Sequence, residues 1–127
     1  MIERFSGSEG MQALVEQLCD QTLVNGDRIL AQALAEAGSL HEFPTGSTII
    51  EQGAHDTDVH FIVAGSCGIN VNGRTLPVQR RAGTHVGEMA AIQPSQTRSA
   101  TVVADECTVT LSVSLTVFCA LAAKHPN

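Results

Sequence analysis

The chain has 127 residues, 43% of them hydrophobic, and a formal net charge of -6 with seven lysines and arginines. This length allows one domain with a substantial core and is too short for two comfortable ones. So few cations cannot neutralise a phosphate backbone, and we therefore expect no nucleic-acid binding by this segment.

The cysteine pattern and the hydropathy indicate the environment of the protein. The four cysteines lie far apart in the sequence and form no CxxC pair, which predicts reduced thiols rather than a disulfide or a zinc site. No apolar run approaches the ~20 residues that span a bilayer, and the N-terminus lacks the apolar core of a signal peptide. We expect a cytoplasmic protein that does not contact the membrane.

The first part of the chain is predicted to be helical. Leucines and alanines recur every three or four residues, which indicates helices over Ser8–Leu23 and Asp27–Ala37. The turn signal Asn25-Gly26 separates them, and Gly38 ends this part.

From Leu40 to Val113 the pattern changes to short β-type runs separated by glycines. Asn72-Gly73 is a strong two-residue hairpin signal. The predicted strands are Thr48–Ile50, Val59–Ala64, Cys67–Val71, Thr75–Val78, Ser99–Ala104 and Thr108–Val113. Several short strands at this spacing predict a sandwich or a jelly-roll barrel.

The chain closes with one more predicted helix, Leu115–Lys124, for which Ser114 is the expected N-cap. The predicted fold is therefore mainly β with flanking helices, of the α+β class: a jelly-roll β-barrel with N-terminal helices and a C-terminal helix. We divide the chain into an N-terminal helical segment (1–39), the barrel (40–113) and the C-terminal helix (114–127).

The segment 83–104, GTHVGEMAAIQPSQTRSATVVA, carries the clearest functional signal. Gly87 allows a close approach of the backbone, and the amides of residues 88–90, at the start of a short predicted helix, would point at an anion. Arg98 supplies a fixed positive charge. The segment predicts a pocket for a small anionic sugar.

Two motifs within this segment resemble the phosphate-binding cassette of the cyclic nucleotide-binding domain family. They are Gly87-Glu88-Met89-Ala90 and Arg98-Ser99-Ala100-Thr101, and residues 43–53 and 60–65 resemble the first strands and turns of the same family. The resemblance covers residues 40–120. It implies a jelly roll that holds a 3′,5′-cyclic nucleotide monophosphate, with no catalysis by this chain, no separate cofactor and no metal.

The resemblance also implies a role for each matching residue. Arg98 would clamp the cyclic phosphate, because a guanidinium offers paired donors and stays charged when it is partly desolvated. Glu88 would accept a hydrogen bond from the ribose 2′-hydroxyl, and Ser99 would reach the phosphate or the base. The implied ligand-binding set is Gly87, Glu88, Met89, Ala90, Arg98, Ser99 and Ala100. The helix that covers the base in family members is not among the 127 residues.

A narrower resemblance involves Arg4-Phe5, Gly10, residues 23–27 and residues 86–104. Together they are similar to the N-terminal receptor domains of bacterial antiphage effectors of the Pycsar system, which carry a C-terminal TIR domain. That implies a receptor that responds to a cyclic pyrimidine nucleotide, cyclic UMP or CMP, and regulates an NAD-degrading TIR domain. A homodimer or a higher oligomer is compatible with this interpretation.

Three alternatives remain open at this point. The same domain serves as the cyclic AMP sensor of Crp-type transcription regulators. A cupin-like metalloprotein would use His55, His60, His85 and Glu88, although cupins use an H-x-H pair that this chain lacks. The third alternative is a barrel used only for protein association.

Overall fold

The structure is a computed structural model that describes residues 1–87 and 97–124. A 3-10 turn, Ile2–Phe5, precedes α1 (Gly7–Cys19) and α2 (Arg28–Ala37), and α3 (Leu115–Lys124) comes last. The strands between them are β1 (Ser39–Phe43), β2 (Thr48–Ile50), β3 (Val59–Ala64), β4 (Ser66–Val71), β5 (Arg74–Arg81), β6 (His85–Val86), β7 (Thr101–Ala104) and β8 (Thr108–Val113).

These strands form two four-stranded sheets with the orders β1-β8-β3-β6 and β2-β7-β4-β5. All of their pairings are antiparallel. Helices flank the sheets at both ends of the chain, which confirms the predicted fold class. The division of the chain at residues 39 and 113 stays a prediction.

Two apolar clusters hold the fold together. The first lies between the two sheets and contains Ile50, Ile62, Cys67, Val86 and Val102. The second lies between the β3–β8 face and the helices, where Phe61 packs against Phe118 of α3 with ring centroids 6.3 Å apart. Because successive residues of a strand point to opposite faces, β3 contributes to both clusters. Each fully buried large side chain stabilises the fold by about 1.5–3 kcal/mol.

The predicted N-cap Ser114 is confirmed, whereas α1 is shorter than predicted and α2 begins at Arg28 rather than at Asp27. Asp27 caps α2 by accepting the Leu30 amide at 3.0 Å, and Ser114 Oγ accepts the Val117 amide of α3 at 3.3 Å. α1 ends at Cys19 rather than at residue 23, because the following segment folds into a turn in which the Gly26 amide donates to Cys19 O at 2.9 Å. None of the helices within 1–87 and 97–124 is long and apolar enough to cross a membrane.

The strand predictions need three corrections. β1 and β6 were not predicted: β1 is mostly exposed and lacks alternating burial, and β6 has only two residues. β5 continues to Arg81, since it pairs with β4 as far as Ser66. β7 begins at Thr101 rather than at Ser99. The Asn72-Gly73 turn has the expected positive φ angles of 54° and 81°.

Candidate ligand-binding site

The backbone of Arg98 is fixed against the loop between β2 and β3. Its amide donates to Ala54 O at 2.8 Å, and its carbonyl accepts the Gly53 amide, also at 2.8 Å. The Gln52 amide donates to Thr101 Oγ1 at 3.0 Å just beyond. Both backbone hydrogen-bonding groups of Arg98 are therefore used by the β2–β3 loop. Because they cannot also pair with a neighbouring strand, β7 starts three residues later, at Thr101.

The guanidinium of Arg98 lies at the centre of the site. Its Nη1 donates to Gly87 O at 3.0 Å, and its Nη2 donates to Asp58 O at 2.6 Å. Nη2 and Nε both donate to Asp56 Oδ2, at 2.9 and 3.3 Å. The Arg98 side chain is 7% exposed, whereas that of Asp56 is 49% exposed. The arginine is therefore held by two carbonyls from inside and by one carboxylate on the solvent side.

The donor inventory of Arg98 shows what it can still bind. A guanidinium has five N–H donors. Four are used in the contacts above, so that one Nη1 donor has no acceptor within the described part of the chain. An anion that replaced the Asp56 carboxylate would gain up to three charge-assisted donors.

Gly87 packs directly against this guanidinium. Its φ is +89°, a backbone conformation that favours glycine. A Cβ placed there would lie 2.8 Å from Asp58 O, 2.9 Å from Arg98 Nη1 and 3.2 Å from Ile50 Cδ1. The predicted close backbone approach at Gly87 is therefore an approach to Arg98 and to the β2–β3 loop.

Four of the seven predicted ligand-binding residues fall in the described structure. Gly87 and Arg98 are in contact, while Ser99 is exposed and Ala100 is half-buried between Arg98 and β7. Glu88, Met89 and Ala90 lie outside the described residues.

Sequence reasoning missed Asp56 and the carbonyl of Asp58. No sequence motif links either residue to Arg98. They lie about forty positions before Arg98 in the sequence and meet it only through tertiary structure. The only signal is a pair of carboxylates in the turn-rich loop after Gly53.

Two of the histidines considered for a metal site, His60 and His85, contact different residues. His60 Nδ1 is 3.1 Å from Thr110 Oγ1, and the ring of His85 lies 6.1 Å from that of Phe61. Burial lowers the pKa of His60 from 6.5 to about 4. In the described ranges no group of three or more His, Cys, Asp or Glu residues could hold a metal ion.

The site is thus a jelly roll whose buried arginine is held by two carbonyls and by one half-exposed carboxylate, an arrangement of donors that suits a small anion. The family model for the cyclic nucleotide-binding domain matches residues 40–125. The chain belongs to this family.

Several curated bacterial relatives match the whole chain. The Pycsar effector protein XpPycTIR from Xanthomonas perforans is 45% identical over 127 residues, and PaPycTIR from Pseudomonas aeruginosa is 41% identical over the same length. The chain spans 42% and 41% of the length of these relatives.

A solved structure supports the fold at lower identity. The structure of cAMP-bound PfPKA-R has a TM-score of 0.81 with 16% identity, and the match covers 89% of this chain and 40% of that one. At 16% sequence identity, this similarity supports the fold alone.

Proposed function

We propose that this chain is the receptor module of a Pycsar-type antiphage effector and binds a 3′,5′-cyclic nucleotide monophosphate with Arg98 as the phosphate clamp. The likeness of the whole chain to two Pycsar effector proteins supports the biological setting. The observation that carries the binding mode is the guanidinium of Arg98, anchored from inside by two carbonyls and paired on the solvent side with one carboxylate.

The phosphate would take the place of the Asp56 carboxylate. Gly87 O and Asp58 O keep the guanidinium in position, so that the donors now pointing at Asp56 meet the phosphate without rearranging the backbone. Each charge-assisted hydrogen bond contributes roughly 1.5–3 kcal/mol. A cyclic phosphate diester carries one negative charge, which replaces that of the displaced carboxylate.

The rest of the ligand would meet the other residues of the cassette. In this proposal Glu88 accepts from the ribose 2′-hydroxyl, and the amides of Met89, Ala90 and Ala100 add neutral donors to the phosphate. Ser99 is exposed beside Arg98, where its hydroxyl can reach the phosphate or the base. The chain binds its ligand without catalysis, cofactor or metal.

The structure offers a route from the cassette to the N-terminal helices. The Gly83 amide donates to Ile62 O at 3.1 Å, and its carbonyl accepts the Thr22 amide at 3.4 Å. Gln21 Nε2 donates to the same Ile62 carbonyl at 2.9 Å. The turn between α1 and α2 is thus hydrogen-bonded to the segment that leads into Gly87. A ligand that shifts this segment would shift the helices.

In the proposed setting the receptor works in the bacterial cytoplasm and controls a fused TIR domain that degrades NAD. A homodimer or a higher oligomer is compatible with this role, and sedimentation velocity with and without ligand decides between them. The Crp-type alternative predicts a fused helix-turn-helix instead.

A thermal-shift panel tests the proposal. The purified protein is heated with 3′,5′-cyclic UMP, CMP, AMP or GMP, and with the matching 5′-monophosphates as linear controls. A cyclic ligand at about 100 times its dissociation constant stabilises the fold by ~2.7 kcal/mol. At least one cyclic nucleotide should raise the melting temperature while its linear form does not. If none of the four cyclic nucleotides does, the proposal is wrong.

A further inference from the structure

The side chain of Gln52 joins the β2–β3 loop to the tip of the β4–β5 hairpin. Its Nε2 donates to Asn72 Oδ1 at 2.8 Å, and its Oε1 accepts the backbone amide of Asn72, also at 2.8 Å. A primary amide that donates to and accepts from the same residue is fixed in both distance and orientation. The hairpin tip therefore holds the start of the β2–β3 loop in place.

The backbone next to Gln52 holds the arginine of the cassette. The Gln52 amide donates to Thr101 Oγ1 at 3.0 Å. The Gly53 amide donates to Arg98 O at 2.8 Å, and Ala54 O accepts the Arg98 amide at the same distance. Thr101, which is not among the predicted ligand-binding residues, thus anchors the loop segment that fixes the Arg98 backbone.

The hairpin tip is a firm anchor for this loop. Asn72 has a φ of +54° in a two-residue turn, and the pairing of β4 with β5 continues to the residues on either side of the turn. Within β4, Asn70 pairs with Thr101 at the start of β7. Gln52 is therefore held by its side chain at Asn72 and by its amide at Thr101, and both partners belong to the same sheet.

The position of the β2–β3 loop also decides where the guanidinium of Arg98 points. Asp56 Oδ2 and Asp58 O, which accept from the guanidinium, belong to this loop. A displacement of the loop would move these acceptors together with the backbone of Arg98. Because a binding group has to stay within about 0.5 Å of its productive position, such a displacement would weaken phosphate binding.

We propose that Gln52 is a positioning residue of the phosphate site, which ties the β2–β3 loop to the hairpin tip at Asn72 and so keeps Arg98 oriented for the phosphate. Within residues 1–87 and 97–124, the side chain of Gln52 bonds to Asn72 and not to Arg98. Gln52 therefore acts on the ligand through the loop. This inference rests on the proposed cyclic-nucleotide function.

Calorimetric titration with 3′,5′-cyclic UMP, CMP, AMP and GMP tests the inference. Gln52→Ala removes both side-chain hydrogen bonds, and we expect it to weaken the tightest ligand about tenfold. Asn72→Gly removes only the Oδ1 acceptor and suits the positive φ, so its effect should be smaller. The double variant should bind like Gln52→Ala, because both changes break one link. Gln32→Ala, which removes a glutamine that bonds to Glu36 on α2, is the control and should bind like the wild type.

Nitrogen-15 NMR of the ligand-free protein separates positioning from a general loss of stability. The Nε–H of Arg98 donates to Asp56 Oδ2, and its signal is assigned by its absence from Arg98→Gln. We expect this Nε–H to exchange with solvent at least about tenfold faster in Gln52→Ala and in the double variant, and at the wild-type rate in Gln32→Ala. Both hydrogen bonds of the Gln52 side chain are exposed, so urea unfolding should change little.

The outcomes separate the two proposals. If cyclic nucleotides bind but Gln52→Ala binds like the wild type, the inference about Gln52 is overturned and the proposed function stands. The same holds if Gln52→Ala loses affinity while the Arg98 signal exchanges at the wild-type rate, since Gln52 would then contact the ligand directly. If Gln52→Ala does not fold, Asn72→Gly decides by the same two measurements. If the wild-type protein binds none of the four ligands, both proposals are overturned.

Discussion

Gly87 and Arg98 are interlocked: the carbonyl oxygen of Gly87 accepts a hydrogen bond from Arg98 Nη1 at 3.0 Å, and the same nitrogen lies 2.9 Å from where a Gly87 Cβ would be. Only a residue without a side chain leaves the guanidinium in this position. The glycine at the start of the cassette therefore sets the geometry of the arginine.

Replacing Gly87 by alanine should disrupt the site. The φ of +89° costs an alanine about 1–3 kcal/mol, and the Cβ would press against Asp58 O and displace the guanidinium. We expect the affinity for the cyclic nucleotide to fall roughly tenfold or more, as measured by calorimetric titration.

Gly73→Ala is the matched control for this substitution. Gly73 also has a positive φ, +81°, but nothing lies within 4 Å of its Cβ position. This variant should lose stability in urea unfolding without losing affinity. Equal losses of affinity in both variants would show that backbone strain, not crowding of Arg98, is responsible.

Neutralising Asp56 should strengthen ligand binding. Its carboxylate accepts from Nε and Nη2 of Arg98 and carries the same charge as the phosphate that would replace it. Because Asp56 is half-exposed, solvent screens the repulsion to about 1 kcal/mol, so Asp56→Asn should tighten binding about fivefold at low salt and less at high salt.

Asp105→Asn is the control for Asp56→Asn, because it removes the same charge at an exposed position that is hydrogen-bonded to Gln79. It should leave the affinity for the cyclic nucleotide unchanged. Weaker binding in Asp56→Asn would mean that this carboxylate orients Arg98 for the ligand instead of competing with it.

These contacts show where sequence reasoning succeeds. The Ser114 cap and the Asn72-Gly73 turn act within four residues, so their patterns are visible along the chain. Two short motifs single out Gly87 and Arg98, which the structure brings into contact, while their role in ligand binding stays a prediction.

Other features escape the sequence because they arise between distant segments. Asp56 reaches Arg98 across 42 positions, and nothing in a loop sequence indicates which cation it meets. β1 pairs with β8 but has no alternating burial, so its strand character comes from its partner.

Protein stability should fall as the pH drops from 7 to 5. The pKa of buried His60 is about 4, below its ordinary 6.5, so the unfolded chain takes up a proton first. The contribution of neutral His60 to the free energy of unfolding is therefore fully present above pH 6.5. It declines as the pH falls, until His60 is also protonated in the folded protein near pH 4. This histidine accounts for about 2 kcal/mol between pH 7 and pH 5.

Urea unfolding at both pH values measures this effect. In His60→Asn the difference in the free energy of unfolding between pH 7 and pH 5 should shrink by about 2 kcal/mol. In His55→Asn, which changes an exposed loop position, this difference should stay the same. An unaltered pH dependence in His60→Asn would contradict the burial of a neutral imidazole.

Gln21 connects the α1–α2 turn to β3 and is 1% exposed. Its Nε2 donates to Ile62 O, which also accepts the Gly83 amide, while its Oε1 has no partner in the described residues. Gln21→Leu removes this buried oxygen together with one hydrogen bond, so the free energy of unfolding should change by only about 1 kcal/mol.

Gln21→Glu should be far more disruptive, because it buries a carboxylate beside a carbonyl oxygen. We expect a loss on the order of 3 kcal/mol or more at pH 7, as measured by urea unfolding. Similar stabilities for the two variants would show that the side chain at position 21 reaches solvent.

The most direct test of the phosphate clamp is calorimetric titration of Arg98→Gln with the cyclic nucleotide that binds the wild-type protein best, with Arg28→Gln on the exposed side of α2 as control. Losing up to three charge-assisted contacts should weaken binding at least a hundredfold, while Arg28→Gln binds like the wild type. A folded Arg98→Gln protein that binds with wild-type affinity would contradict the assignment of Arg98 as the phosphate clamp.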